Sequence, residues 1–166
     1  ELMLTILSAF AQAESESGSV GAKMVYQRKY EQGIPVQYLE RSYGYTKNAK
    51  GDYVPEPSEA KWVKKIYEMA ADGYTVAAIT RFLQGEGLKT VNGAEWSDSA
   101  VFRLIENEIY KGDYIMHNHF VNEERKLVRN RGEVDAWYIT DDHVPIVSAE
   151  LWQKAQDELD KKREYL

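Results

Sequence analysis

The chain has 166 residues, of which 43% are hydrophobic and 29% are charged, a balance typical of a globular domain. It contains no cysteine, which excludes disulfide bonds and thiolate metal sites, and it has neither a membrane-length apolar run nor a secretory signal. These features predict a cytoplasmic protein without a cofactor. The net charge of −6 excludes a uniformly basic surface, so binding to a polyanion would depend on local clusters of lysine and arginine.

Residues 1–33 are predicted to form one long helix. Their apolar and small residues recur every three to four positions, which is the helical period, and none of them is proline. Gly33 and Pro35 predict its end, because glycine adopts the left-handed cap conformation and proline cannot continue a helix. Such a helix would be roughly 50 Å long, more than a core of this size needs. The chain begins inside it without a methionine, so we expect a part of a longer protein.

The long helix changes character along its length. Residues 2–10 are apolar and are expected to pack against a partner surface, whereas residues 14–21 are small and polar. The small segment suits close approach to a phosphate backbone or to a second helix, and the sequence leaves both open. Basic residues follow at Lys23, Arg28 and Lys29.

Residues 34–57 are predicted to form a loop and a β-hairpin. Residues 44–47 and 53–55 are typical of strands, and Gly51 between them can supply the positive φ of a tight turn. Lys47, in the first strand, belongs to a further small cluster of positive charge.

Three helices are predicted in the middle of the chain, because apolar residues recur there at the helical period. The helices cover residues 58–72, 75–86 and 99–107, and their predicted N-caps are Ser58, Thr75 and either Ser97 or Asp98. A turn is predicted at Asn92-Gly93, between the second and third helices. Two short helices, a connector and a third helix indicate a helix-turn-helix-like unit.

In such a unit the last helix enters the major groove of DNA with its N-terminal residues at the base edges. Hydroxyl, amide and guanidinium groups are the ones that contact phosphates and bases. Groups of these kinds face outward near the start of the third helix at Ser97, Ser99 and Arg103, and precede it at Lys89, Thr90 and Asn92. The alternative is structural: Ser97 only caps the helix, and Arg103 is an ordinary surface residue.

The last third of the chain is predicted to alternate short strands with a charged segment and to end in a helix. A strand is expected in the second half of residues 107–120, a hairpin or mobile loop at 122–135, and a strand at 136–140. Ser148 is the predicted cap of the last helix. The whole pattern predicts an α+β, mainly helical fold: a long N-terminal helix, then a compact helix-turn-helix-like domain with short antiparallel hairpins.

No motif in the chain predicts catalysis or a metal site. His117 and His119 would share one face of a strand, but neither a cysteine nor an acidic residue stands at ligand spacing. His143 is interpreted as a turn residue. A nucleophile-elbow motif and a phosphate-binding glycine loop are both absent from the sequence. We assign no catalytic residue and expect the chain to be inactive by itself.

The residues nevertheless resemble a known family. Residues 2–17 resemble the start of the long helix that ends the catalytic domain of serine site-specific recombinases of the resolvase/invertase group. The chain after this helix resembles the "recombinase" domain of the large serine recombinases, such as phage integrases and conjugative-transposon recombinases. The landmarks occur in the family order along nearly the whole chain: Gly44-Tyr45, Tyr53-Val54-Pro55, Gly73-Tyr74-Thr75, Gly87-Leu88-Lys89-Thr90, Trp96-Ser97, Asn107-x-x-Tyr110-x-Gly112, His143-Val144-Pro145-Ile146-Val147 and Leu151-Trp152-x-x-Ala155-Gln156.

The resemblance implies that the parent protein cuts and rejoins DNA through a serine nucleophile in an upstream segment. It implies that residues 1–33 mediate dimer or tetramer assembly and cross the minor groove. We expect Lys23, Arg28 and Lys29 to contact the DNA backbone from this helix. Residues 34–147 would bind part of a double-stranded attachment half-site during integration or excision of a mobile element. Residues 148–166 would lead into a zinc-ribbon domain.

Two features depart from the family pattern. Ser15 and Ser17 stand where small resolvases carry arginines that help the active site, and the net charge is acidic for a DNA-binding domain. A second interpretation therefore stays open, in which the chain is an assembly or regulatory module that uses the long helix to oligomerise and does not bind DNA.

Overall fold

The computed structural model describes residues 28, 32, 39, 42–116, 119–130, 133 and 135–164. Over these residues the chain has an α+β fold in which four α-helices surround a small core and six short strands form two-stranded pairs. The predicted fold class is thereby confirmed. The predicted helix over residues 1–33 lies outside the described residues, apart from Arg28, which is helical, and Gln32, whose backbone N–H donates to the Arg28 carbonyl at 3.1 Å.

The helices supply most of the core. They are α1 (Pro57–Ala71), α2 (Val76–Gly85), α3 (Asp98–Ile105) and α4 (Ala149–Glu164), and a 3-10 helix (Glu108–Lys111) follows α3. Helix α1 packs against α4, and α2 packs against α3. The largest fully buried side chains all come from the first three helices: Val63, Ile66, Tyr67, Ile79, Leu83, Val101 and Ile105. In the described part of the chain, no helix is both long enough and apolar enough to cross a membrane.

Local capping chemistry sets where three of the helices begin. The side-chain oxygens of Thr75, Ser97 and Ser148 each accept a hydrogen bond from the backbone N–H three residues later, at 3.2, 3.3 and 3.2 Å. Each bond satisfies an N–H that has no partner inside the helix. These predicted caps are confirmed.

The predicted cap of α1 is wrong. Glu56 occupies the N-cap position, and its carboxylate accepts from the Ser58 backbone N–H at 3.4 Å. Pro57 is the first helical residue, a position where the missing proline N–H costs nothing and the fixed φ already suits a helix. Ser58 therefore lies inside the first turn.

The strands are short. Strands β1 (Tyr45–Lys47) and β2 (Tyr53–Pro55) form the predicted antiparallel hairpin, with Gly51 at a φ of +89°. The remaining strands are β3 (Tyr114–Met116), β4 (His119–Val121), β5 (Leu127–Arg129) and β6 (Trp137–Ile139). The predicted strand in the second half of 107–120 is two strands, because β3 pairs with β6 whereas β4 pairs with β5. Within the charged segment after β4, residues 122–126 form the turn of the β4–β5 hairpin.

The chain divides into two compact units. One comprises Tyr38–Ile115 and Tyr138–Leu166 and contains the four described helices, and the other comprises Glu1–Gln37 and Met116–Trp137 and contains the β4–β5 hairpin. The functional boundaries after residues 33 and 147 stay a prediction. The surface around α3 that carries most of the predicted DNA-contacting residues lies in the helical unit.

Candidate nucleic-acid interface

Helix α3 is fixed at both ends. Ser97 caps its start, and the buried hydroxyl of Tyr67 lies 2.9 Å from the Leu104 carbonyl and 3.1 Å from the Ile105 carbonyl at its end. Burial raises the pKa of Tyr67 well above its ordinary value of 10.0, so the hydroxyl keeps its proton and can donate. Hydrogen bonds from outside the helix therefore hold both of its ends.

The outward face of α3 carries the two residues that the sequence singled out within the helix. Ser99 and Arg103 are exposed and lie one turn apart, so they project from the same face. We name this pair the α3 ridge. Among the residues that the structure describes, the Arg103 guanidinium has no ion-pair partner, so its charge is available to a ligand.

Two open grooves flank the α3 ridge. The first has a volume of about 540 Å³ and the second about 380 Å³, and Arg103 lines both. The first groove is otherwise lined by Val76, Asp98, Ser99 and Phe102. The second is lined by residues from the connector, from α3 and from three more distant segments: Ser42, Tyr43, Thr90, Val91, Asn92, Trp96, Ala100, Leu104, Asn107 and Tyr110.

The connector between α2 and α3 is a small hairpin rather than an open loop. Lys89 and Glu95 form an antiparallel bridge, and the Thr90 backbone N–H donates to the Ala94 carbonyl at 2.9 Å. Gly93 closes the turn at a φ of +76°, donating to the Thr90 carbonyl at 2.8 Å. This pairing holds the tip, residues 91 and 92, beside α3. We name residues 89–95 the connector hairpin.

Two of the candidate residues in the connector hairpin have partners within it. Lys89 forms an ion pair with Glu95, and both side chains are about half exposed. The Thr90 hydroxyl accepts from the Ala94 backbone N–H at 3.2 Å. Asn92, in contrast, is exposed at the tip and lines the second groove. Lys89 thus closes the base of the hairpin through its ion pair, and Asn92 is exposed at the tip.

The other candidates that the structure describes do not line either groove. Ser97 is exposed, but its hydroxyl caps α3. Lys47 is exposed at the end of β1, with its ammonium 5.1 Å from the centre of the Tyr53 ring. Arg28 is exposed in the other unit, and Lys23 and Lys29 lie outside the described residues. The structure therefore gathers Thr90, Asn92, Ser99 and Arg103 around the grooves.

Sequence reasoning missed the far wall of the second groove. Ser42 and Tyr43 precede β1, more than 45 residues before the connector hairpin, yet line the same groove. Tyr43 is placed by its carbonyl, which accepts from the buried Tyr110 hydroxyl at 2.9 Å, and by its edge contact with the Trp96 ring at 5.0 Å. No local pattern reveals such contacts. Val91 was missed for another reason, because an apolar residue is not among the usual DNA-contacting groups.

The histidine between β6 and α4 is structural. The His143 side chain is buried, and its ring nitrogens lie 3.0 Å from the Asp142 carboxylate and 2.6 Å from the Ile109 carbonyl. Its ring packs edge-on against Tyr45. The turn interpretation is thus extended, because the residue also ties its loop to the 3-10 helix. Within the described ranges no three histidines or carboxylates stand close enough to hold a metal.

A polar cluster fixes β6 and α4 to the 3-10 helix. The Lys111 ammonium lies 3.0 Å from the Asp113 carboxylate and 4.4 Å from the centre of the Trp152 ring, and the Tyr138 hydroxyl donates to Asp113. Burial opposes ionisation of Asp113, but the hydrogen bonds from Tyr138 and Lys111 hold its pKa below the ordinary value of 3.8. The cluster is a scaffold element, since none of these residues lines either groove.

The fold and its exposed face together define a helix-turn-helix-like domain. Its third helix, α3, presents an arginine that has no ion-pair partner among the described residues. Comparison with known proteins gives the family: residues 57–162 match the Recombinase family model. The chain belongs to the Recombinase family, and the resemblance to large serine recombinases is confirmed.

Two solved structures share the fold. One is a chain in the crystal structure of an LSR–DNA complex, with a TM-score of 0.53 and 18% identity over 84% of this chain and 38% of that chain. The other comes from work on the sequence requirements of the Listeria innocua prophage attP site, with a TM-score of 0.51 and 17% identity over 83% of this chain and 50% of that chain. The chain thus spans half or less of each of these two chains.

Proposed function

We propose that this chain is the DNA-binding part of a large serine site-specific recombinase and that it recognises part of an attachment half-site. The observation that carries the proposal is the α3 ridge. It stands on the last helix of a helix-turn-helix-like domain in a Recombinase-family chain, with Arg103 exposed and unpaired within the described residues. The likeness to a chain from an LSR–DNA complex supports the same partner.

The chemistry of the ridge favours base edges over phosphates. A guanidinium fits the O6 and N7 acceptors of guanine in the major groove, and a serine hydroxyl can pair with several bases. Asp98, one residue before Ser99 in the first groove, would repel a phosphate but can accept from the N4 amino group of cytosine. This mixture suits sequence recognition, and it is compatible with a net charge of −6 because it needs few phosphate contacts.

The wider roles follow from the same proposal. The parent enzyme would cut and rejoin DNA at a mobile-element attachment site, assembling as a dimer or tetramer through the helix at residues 1–33. Lys23, Arg28 and Lys29 would contact the DNA backbone from that helix, and Lys47 from the β1–β2 hairpin. Such contacts contribute affinity without sequence preference.

A salt titration of half-site binding tests the proposal. A half-site is selected from a random duplex pool, and the affinity of the chain is measured by fluorescence anisotropy across salt concentrations. We expect affinity to fall with salt, and Arg103→Ala to weaken binding by about 1–3 kcal/mol on that site.

The matched control is Lys154→Ala, which also removes one positive charge from an exposed helical position, on α4. It should change affinity little, because it lines neither groove. Equal losses in the two variants would contradict the placement of α3. Absence of any salt-dependent binding, even at low salt, would favour an assembly module that does not bind DNA.

A further inference from the structure

We infer that Val91, at the tip of the connector hairpin, reads the C5-methyl group of a thymine next to the base pairs that α3 contacts. This inference rests on the proposed function and adds a second reading element to it. The sequence pattern assigns no role to Val91. It is apolar, whereas the DNA-contacting candidates around it are polar.

Val91 presents an apolar side chain to solvent. It keeps 44% of its surface accessible and belongs to a small set of large exposed hydrophobic residues in the described chain, with Tyr74, Tyr138 and Val144. Only Val91 of these four lines a groove beside the α3 ridge. A single exposed valine is ordinary by itself. Val91 is a candidate for a DNA contact because it lines the same groove as Arg103.

The connector hairpin holds Val91 in place. The Lys89–Glu95 bridge and ion pair close its base, and the tight turn at Gly93 closes its tip. Valine is stiff about χ1, so little side-chain freedom remains to be lost on binding. The side chain is therefore preorganised, which lowers the entropic cost of a contact with DNA.

The ligand chemistry follows from the groups that DNA presents. Val91 cannot pair with a phosphate, and the only apolar group in the major groove is the thymine methyl. Arg103 lines the same groove as Val91, so an α3 that contacts guanine would bring the hairpin tip to a neighbouring base pair. Asn92, beside Val91, has the amide that pairs with the N6 and N7 groups of adenine. The tip thus suits a step containing an A·T pair.

Uracil substitution isolates the proposed contact. In the selected half-site each thymine is replaced in turn by uracil, which lacks the methyl group and keeps the same hydrogen bonds. For the unmodified chain we expect one position at which affinity drops about fourfold, the factor that burial of one methyl group corresponds to. At that position Val91→Ala should bind the thymine and uracil duplexes equally.

Val144→Ala is the matched control, since Val144 is 53% exposed and lines neither groove. It should keep the fourfold preference. The inference is overturned if no thymine position is sensitive, if Val91→Ala keeps the preference, or if Val91→Ala weakens binding while thymine and uracil stay equivalent. The last result would indicate insertion into the minor groove.

The two proposals fail in different ways. If α3 does not read DNA, Arg103→Ala binds the half-site as well as the unmodified chain, or no binding occurs, and both proposals fall. If only the inference is wrong, the dependence on Arg103 remains and the methyl preference does not follow Val91.

Discussion

Removal of the Tyr67 hydroxyl tests how α3 is held in place. Tyr67 lies on α1 with none of its surface exposed, and its hydroxyl is within hydrogen-bonding distance of the Leu104, Ile105 and Asn107 carbonyls, at 2.9, 3.1 and 3.3 Å. A hydroxyl has one proton, so the three carbonyls share a single donor, and together they gain about one hydrogen bond from it. Tyr67→Phe removes that donor and leaves the ring packing intact.

The surroundings set the magnitude. Each carbonyl retains another donor: the backbone N–H of Asn107 lies 3.2 Å from the Leu104 oxygen, the Gln156 side-chain amide 2.7 Å from that of Ile105, and the Trp152 indole N–H 3.2 Å from that of Asn107. No buried acceptor is left unsatisfied, so the cost should be about 1 kcal/mol rather than the roughly 3 kcal/mol of an orphaned group.

Urea unfolding measures this cost as a lower midpoint with an unchanged slope. Tyr74→Phe is the control, because Tyr74 is 52% exposed and its change should stay within about 0.5 kcal/mol. Combining Tyr67→Phe with Gln156→Ala removes both side-chain donors to the Ile105 carbonyl, so the double variant should lose more than the sum of the singles. A Tyr67→Phe cost equal to that of the control, or additive losses, would refute this reasoning.

Two further outcomes follow from the scaffold. Gly112→Ala should lower the melting temperature far more than Gly51→Ala: both have positive φ, but an added Cβ at Gly112 would lie 2.8 Å from the His143 carbonyl oxygen, whereas nothing lies within 4 Å at Gly51. Similar melting temperatures would contradict this. Because the pKa of Asp113 is depressed, its stabilisation is present above about pH 4 and is lost as pH falls through the lower folded pKa. In Asp113→Asn the urea midpoint should therefore fall less as the pH is lowered than it does in the unmodified chain. An equal fall in the two proteins would contradict the stabilisation of the Asp113 carboxylate by Tyr138 and Lys111.

The sequence was sufficient where the deciding interactions are local. The caps at Thr75 and Ser97 bond to residues three positions away, and the stripe through Val63, Ile66 and Tyr67 is buried as the helical period predicts. The prediction of Ser58 as a cap was wrong because the two residues before it also make a good helix start: Glu56 caps the helix and Pro57 is its first residue.

Contacts between distant segments were beyond such reasoning. The Tyr45 hydroxyl donates to the Ile109 carbonyl across 64 residues, and Tyr110 reaches back to Tyr43 across 67. Of the two contacts, the one between Tyr110 and Tyr43 joins residues that line the second groove, and no local pattern could place either contact. At the candidate site, the helical period correctly put Ser99 and Arg103 on the outward face of α3. The pairing of Lys89 with Glu95 was not expected, because it depends on the connector folding into a hairpin.

The central claim is that α3 reads base edges in the major groove, and Arg103 tests it most directly. Each guanine of the selected half-site is replaced in turn by 7-deazaguanine, which lacks the N7 acceptor and leaves base pairing unchanged. We predict that one such replacement weakens binding of the unmodified chain and has no effect on Arg103→Ala. If every replacement affects both proteins equally, Arg103 does not contact a guanine base, and α3 does not read DNA in the way proposed.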